Sequence, residues 1–235
     1  MESIESVRGR DPGAFDVLVV DIQNAGTDNP SHFKNGCVKE GGYSLQQNPF
    51  EFAALVRLLV EVAEVAEGLA RPPAGACVER YLEIGTASGG TMRFLNERLG
   101  FGFIAWMDDG LHHRAPEREA HIAAMIEGAR FRPEVASFLG DSHADSAKIF
   151  LDVIRPGFDV AFIDGDHSYQ GVTQDLELVL PHMRRGGYVL FHDIGACAGD
   201  VGRCWKEAVD AKKLRPVAEL IGHEVPLGIA VGEVL

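Results

Sequence analysis

The stretch from Phe158 to Ile194, FDVAFIDGDHSYQGVTQDLELVLPHMRRGGYVLFHDI, constrains the fold more than any other part of the chain. It reads as a buried strand, a loop of acids and a histidine, a helix, a Gly-Gly turn and a second buried strand ending in His-Asp. Two strands joined through a helix are expected to run parallel. Open parallel sheets keep their chemistry beyond the carboxyl ends of the strands. Asp164, Asp166, His167, His192 and Asp193 are therefore expected along one edge of one sheet.

The same alternation extends through most of the chain. Strands are expected at Arg80–Gly85, Phe103–Met107, Val135–Leu139, Phe158–Ile163 and Tyr188–Phe191. Helices are expected at Gly89–Leu99, Glu117–Ala129, Asp145–Val153, Tyr169–Met183 and Gly202–Lys212. Val217–Ile221 and Leu227–Val231 are two more strands, and their short connection demands an antiparallel pair. The expected fold class is α/β: a doubly wound, seven-stranded, mostly parallel sheet with an antiparallel C-terminal strand.

The first fifty residues are the least regular. Phe15–Ile22 reads as a strand or a buried extended segment, and Gly, Asn and Pro dominate from Asn24 to Gly42. Asn48-Pro49 has the form of a helix start, Asn as cap and Pro in the first turn, opening a helix to Leu69. Arg57, Glu61, Glu64 and Glu67 fall three or four apart, which makes one solvated face of an amphipathic packing helix. Residues 1–48 are thus set apart as an N-terminal extension, with a lid formed by GGYSLQQN (Tyr43, Gln46, Gln47) as one expectation, and residues 49–235 form the main domain.

Composition narrows the function classes. A net charge of −13 argues against a nucleic-acid partner, which needs clustered Lys and Arg. The opening MESIESVRGRDPG has no apolar core of a secretory signal, and no apolar run is long enough to span a bilayer. Cys37, Cys77, Cys197 and Cys204 show neither a CxxC pair nor a disulfide framework. Reduced thiols in a cytoplasmic protein are expected, and self-association into a homo-oligomer is left open.

Strand one and its turn read YLEIGTASGGTMRFL, placing Glu83, Gly85, Gly89 and Gly90 in an E-x-G-x-x-x-G-G pattern. Glycines there allow a sharp turn and close approach to the main chain. The dinucleotide fingerprint does not fit, because Thr86, Ala87 and Ser88 precede the next glycine. Strand two ends in Asp108-Asp109, about twenty residues on, where an acid can accept ribose hydroxyls. Strand three ends in Gly140-Asp141-Ser142, polar groups suited to an adenine edge; each of these could also be a cap or a solvated loop.

With these residues in place, the chain from about 49 to 235 resembles the class I S-adenosylmethionine-dependent methyltransferases, which have a Rossmann-like fold. The resemblance implies that the first glycine turn holds the methionine end of S-adenosylmethionine, the second-strand acid the ribose, and the third loop the adenine. It assigns cofactor binding to Glu83, Gly85, Thr86, Ser88, Gly89, Asp108, Asp141 and Ser142. Asp109 competes with Asp108 for the ribose.

The second half is similar to metal-dependent O-methyltransferases of the macrocin/sugar and catechol types, which place an Asp after strand four and an Asp-Asn or Asp-Asp pair after strand five. Asp164 matches the first position, and His192-Asp193 occupy the second. The resemblance implies a divalent cation, Mg²⁺ or Mn²⁺, on Asp164, His192 and Asp193. His192 departs from the pattern by standing where an aspartate is usual, and a hydrogen-bonded buried histidine is its other reading. Near neutral pH a hydroxyl attacks a sulfonium methyl only as it loses its proton, which a cation and a base assist. His167 is the first candidate base and Asp164 the second; Asp166 or Ser168 has a second use as a helix cap.

The function expected on these grounds is methylation of a hydroxyl on a sugar or natural-product small molecule. A phenolic or catechol acceptor is the alternative within the same chemistry. A catalytically degenerate domain that binds S-adenosylmethionine is the alternative outside it, and a nicotinamide dehydrogenase fails at the glycine spacing.

Overall fold

The computed structural model describes residues 1–25, 45, 47–67, 78–110, 120, 122–124, 126–154, 156–223 and 226–235. Seven strands form one sheet: β1 (Arg80–Ile84), β2 (Phe103–Asp108), β3 (Glu134–Leu139), β4 (Phe158–Ile163), β5 (Met183–Phe191), β6 (Leu214–Leu220) and β7 (Ile229–Val234). Their order is β3-β2-β1-β4-β5-β7-β6. Strands β1 to β5 pair in parallel, whereas β7 runs antiparallel to both β5 and β6. This is the doubly wound, seven-stranded, mostly parallel arrangement expected, with the antiparallel strand inserted next to the edge.

The apolar strands are buried on both faces. Tyr81, Ile104, Trp106, Val160, Phe162 and Leu190 pack into one core. Their neighbours Leu82, Ala105, Met107, Ala161, Ile163 and Phe191 pack into the other. Period-two alternation between two covered faces explains why these strands read as near-continuous apolar runs.

Seven α-helices are named here among the described residues: α1 (Ile4–Arg8), α2 (Pro12–Ala25), α3 (Pro49–Glu67), α4 (Gly90–Leu99), α5 (Asp145–Val153), α6 (Tyr169–Val179) and α7 (Val201–Asp210). The crossover between β2 and β3 is helical at residues 122–124 and 126–127. Asn48 caps α3 as expected, its Oδ1 accepting the Phe50 and Glu51 amides. Glu61 pairs with Arg10 and lies 3.6 Å from Arg57.

Two expectations are corrected. Phe15–Ile22 is helical, within α2, and not a strand. Its buried residues Phe15, Leu18, Val19 and Ile22 follow the i, i+3, i+4, i+7 spacing of a helix face, and packing on α3 settles the conformation. The Gly-Gly pair after Arg185 is not a turn before β5 but an irregularity within it. Gly186 has φ +79°, and the register with β4 shifts between Phe158 and Val160. A side chain on Gly187 would stand 3.0 Å from the carbonyls of Phe158 and Asp159.

The residues before Pro49 share the main core. Ile4, Val7, Phe15, Leu18, Val19 and Ile22 cluster with Phe52, Leu55 and Leu59 of α3. The Glu2 amide donates to the Val217 carbonyl at 2.8 Å, and the Glu219 amide donates back to Glu2 at 3.1 Å, adding one bridge beyond β6. Most of the expected lid, including Tyr43 and Gln46, lies outside the described residues, as do Cys37, Cys77, His112 and His113. No described helix is long and apolar enough to cross a membrane.

Candidate active site

The strand register sets four carboxyl ends level. Met107, Ile84, Ile163 and Phe191 are successive partners across β2, β1, β4 and β5. The next residue on each strand is Asp108, Gly85, Asp164 or His192, so these four line one sheet edge at strand spacings of about 5 Å. The strand order reverses between β1 and β4, and open α/β sheets bind ligands at such a switch point.

Gly85 sits at that point with φ +82°. A Cβ there would lie 2.0 Å from the Asp164 carbonyl oxygen, so the first glycine is required by the approach of the β4 loop as well as by its own backbone. The turn continues through Ala87, strained at φ +48°, to Gly89 at φ +79°, and α4 starts without a side-chain cap. A small cleft of about 50 Å³ opens here, lined by Gln47, Gly85, Thr86, Ala87, Ser88, Gly90, Thr91 and Asp164. The uncapped amides of a helix start favour an anionic group.

Asp108 holds this turn in place. Its Oδ2 accepts the Ala87 amide and its Oδ1 the Gly110 amide, both at 2.7 Å. Asp108 is buried while Asp109 is exposed, so Asp108 is the acid that the fold builds into the site. Glu83 is buried beneath the turn, and burial, with the Asp164 carboxylate second, pushes its carboxyl well above the usual range.

At the end of β3, Asp141 is exposed and accepts the His143 amide at 2.8 Å. Ser142 instead donates at 2.7 Å to Asp175, which is fully buried in α6. Burial raises the Asp175 carboxyl to about 6. This acid was not apparent in the sequence, where it sits among polar residues of an ordinary amphipathic helix.

Across the switch point, four side chains form one charged knot. His192 Nδ1 lies 3.0 Å from Asp164 Oδ1 and 3.3 Å from Asp193 Oδ2. His167 reaches the same two oxygens, with Nε2 at 3.3 Å and Nδ1 at 3.4 Å. Burial would raise the Asp164 carboxyl, but the charges and hydrogen bonds of His192 and His167 overcome it and hold it well below the usual carboxylate range. The hydrogen bond to Asp164 raises His167 against the opposing effect of burial. Burial opposes protonation of His192 more strongly, yet the Asp164 and Asp193 carboxylates still raise it well above the usual range.

The four differ in access. The His167 side chain is 41% exposed, against 19% for Asp164, 11% for Asp193 and 6% for His192. Asp193 is held at φ +60°, an uncommon conformation for a side-chain-bearing residue and of the kind that clusters at functional sites. His192 Nε2 is buried with no hydrogen-bond partner among the described residues. Ligand atoms of Asp164, His167 and Asp193 lie within 4.8 Å of one another, a spacing fit for a cation. Asp166 stands aside as a cap brace, its Oδ1 accepting the Ser168 amide while Ser168 Oγ accepts the Gly171 amide.

Gln47, expected only as part of a lid, and Glu51, which the sequence did not single out, also reach this site. Gln47 Nε2 donates to Thr91 Oγ1 at 3.2 Å and lies 3.5 Å from Asp164 Oδ2. Glu51, fully buried, accepts the Gly222 amide at 2.7 Å and the Gly228 amide at 2.9 Å, fastening the β6–β7 loop. The Gly228 carbonyl in turn accepts the Ile194 amide, next to Asp193. Asn48-x-x-Glu51 has the spacing of a capping box, the one signal in the sequence that marked this glutamate.

The doubly wound sheet, with a glycine turn at its switch point and acids beside it, has the fold of the class I methyltransferases. Residues 82–194 match a family model described as a methyltransferase domain. Solved structures agree on the fold. The O-methyltransferase TomG from Streptomyces achromogenes, in complex with S-adenosylmethionine, has a TM-score of 0.59 at 16% identity, covering 93% of this chain and 96% of that one. An O-methyltransferase from Bacillus cereus, in complex with S-adenosylhomocysteine, has a TM-score of 0.58 at 16% identity, over 99% and 100% of the two chains. Among curated sequences, the uncharacterized protein R132 of Acanthamoeba polyphaga mimivirus is 29% identical over 121 residues, 48% of this chain and 50% of that protein. The match thus spans about half the length of that relative.

Proposed function

We propose that this chain is an S-adenosylmethionine-dependent O-methyltransferase that methylates a hydroxyl of a sugar or natural-product small molecule with the help of a divalent cation. The observation that carries the reading is the meeting of Gly85 with Asp164 at the switch point, which sets a glycine-turn cleft directly beside the charged knot. Structural relatives that hold S-adenosylmethionine or S-adenosylhomocysteine support the donor. The sugar-type acceptor rests on the Asp164-Gly-Asp-His-Ser-Tyr169 loop.

In this reading the glycine turn holds the methionine end of the donor and Asp108 the ribose. The Asp141-Ser142 loop flanks the adenine, Ser142 through its backbone because its hydroxyl is committed to Asp175. Two carboxylates suit Mg²⁺ or Mn²⁺ and an imidazole nitrogen shifts the preference toward Mn²⁺; Asp164, Asp193 and His192 would hold the ion. When bound, the cation supplies a lower hydroxyl pKa and a fixed orientation for attack. His167, the most exposed of the four, takes the hydroxyl proton as the acceptor oxygen bonds to the methyl carbon and the carbon–sulfur bond breaks. S-Adenosylhomocysteine and the methyl ether are the products.

The convergence of Asp164, His167 and Asp193 also favours a second assignment, with His167 as a ligand and not the base. A His167→Ala variant separates the two: a base leaves cation affinity intact, and a ligand does not. The function itself is tested by incubating the protein with labelled S-adenosylmethionine and panels of sugar and phenolic acceptors. Label in a sugar hydroxyl supports the proposal, and label in a phenol moves the acceptor class. Binding of S-adenosylhomocysteine with no transfer to any acceptor would replace it with a degenerate binding domain. Preferential retention of NAD would overturn the donor.

A further inference from the structure

Gln47 lies outside the matched segment 82–194, yet it closes one side of the donor cleft. Its side chain is buried, with 5% of the residue exposed. The amide nitrogen is spent on Thr91 Oγ1 and faces the Asp164 carboxylate. A carboxylate oxygen only accepts hydrogen bonds, so the nitrogen must face it and the carbonyl oxygen must point elsewhere. That oxygen, Oε1, is buried with no hydrogen-bond partner among the described residues. An unsatisfied buried carbonyl costs free energy unless a donor reaches it.

The chemistry around it is specific. Asp164 Oδ2 and Gln47 Oε1 are acceptors among the residues that line the cleft, and the uncapped start of α4, at Gly90 and Thr91, lines it too and favours an anion. The cleft therefore offers acceptors that suit a cation and a helix start that suits a carboxylate, which together describe the zwitterionic end of an amino acid. We propose that Gln47 Oε1 accepts a hydrogen bond from the α-ammonium of the donor's amino-acid end. The inference rests on the donor reading above and adds to it a residue that reaches in from the approach to α3. Through its nitrogen, Gln47 also ties the ammonium position to Asp164.

Binding calorimetry with three adenosine ligands tests this without any turnover. S-Adenosylhomocysteine carries both ammonium and carboxylate; its deaminated analogue keeps only the carboxylate; 5′-methylthioadenosine has neither. In Gln47→Leu the preference for S-adenosylhomocysteine over the deaminated analogue should fall about tenfold, the scale of one hydrogen bond to a charged group. Loss of packing or of the Thr91 contact would weaken all three ligands alike and leave that preference unchanged, which would overturn the proposal. Gln47→Asn, which keeps the amide but shortens its reach, should show the same loss of preference and serves if the leucine variant does not fold. A wild-type protein that binds none of the three ligands defeats the donor reading itself.

Discussion

The two sides of the switch point are built on different principles. On the β1–β3 side, polar side chains are fastened to their own scaffold: Asp108 accepts two amides, and Ser142 is bonded to buried Asp175. On the β4–β5 side, polar side chains are fastened to one another, with two histidines sharing Asp164 Oδ1 and Asp193 Oδ2. The first side is a mould whose polar side chains are held by the backbone and buried groups around them. The second is a concentration of charge whose energy depends on every member, so removal of one leaves the rest uncompensated. Donor binding should tolerate changes at His167, His192 and Asp193, which do not line the donor cleft, and transfer should not.

The largest expected effect follows from that asymmetry. His167→Ala should lower the rate of methyl transfer by roughly 10²–10⁴-fold, the usual contribution of a general base. S-Adenosylhomocysteine binding, measured by calorimetry, should stay unchanged. Parallel loss of binding and transfer would mean that the two sides are not separable.

Asp175 provides the next test, on the first side. Its folded carboxyl is raised by burial to about 6 from an ordinary value of 3.8. Between those values the unfolded chain is ionised while the folded one keeps its proton. The stability it contributes is therefore fully present below about pH 4 and lost as the pH rises through about 6, by roughly 3 kcal/mol at most. Asp175→Asn should remove that slope from denaturant-unfolding curves recorded between those limits. A slope that persists in the variant would place its origin elsewhere.

The smallest effect is expected at Asp108, the acid proposed to hold the ribose. Asp108→Asn exchanges one acceptor oxygen for a donor, so it loses part of its hold on Ala87, Gly110 and the donor ribose together. S-Adenosylhomocysteine affinity should fall about tenfold, with cation affinity untouched. A matching loss with Asp109→Asn would move the ribose contact to the exposed neighbour.

Much of this architecture was legible in the residues because parallel strands covered on both faces leave unbroken apolar runs. Phe158–Ile163 and Asp145–Val153 have the boundaries expected of them. The sheet edge was legible for the same reason, since Asp108, Gly85, Asp164 and His192 each directly follow such a run. Phe15–Ile22 was misread because its β-branched residues suggest a strand while their burial follows a helical period. The contacts that complete the site were hidden by distance along the chain. Gln47 meets Asp164 across 117 positions, and Glu51 meets Gly222 across 171. Neither pairing leaves a local pattern.

The central claim is that the β4–β5 knot is a cation-assisted transfer centre that meets the donor mould at Asp164. It is tested most directly by following transfer of labelled methyl from S-adenosylmethionine to the best acceptor of the panel, in EDTA and after addition of Mg²⁺ or Mn²⁺. The account predicts that transfer is abolished by the chelator and restored by the ion. An undiminished rate in EDTA would contradict it.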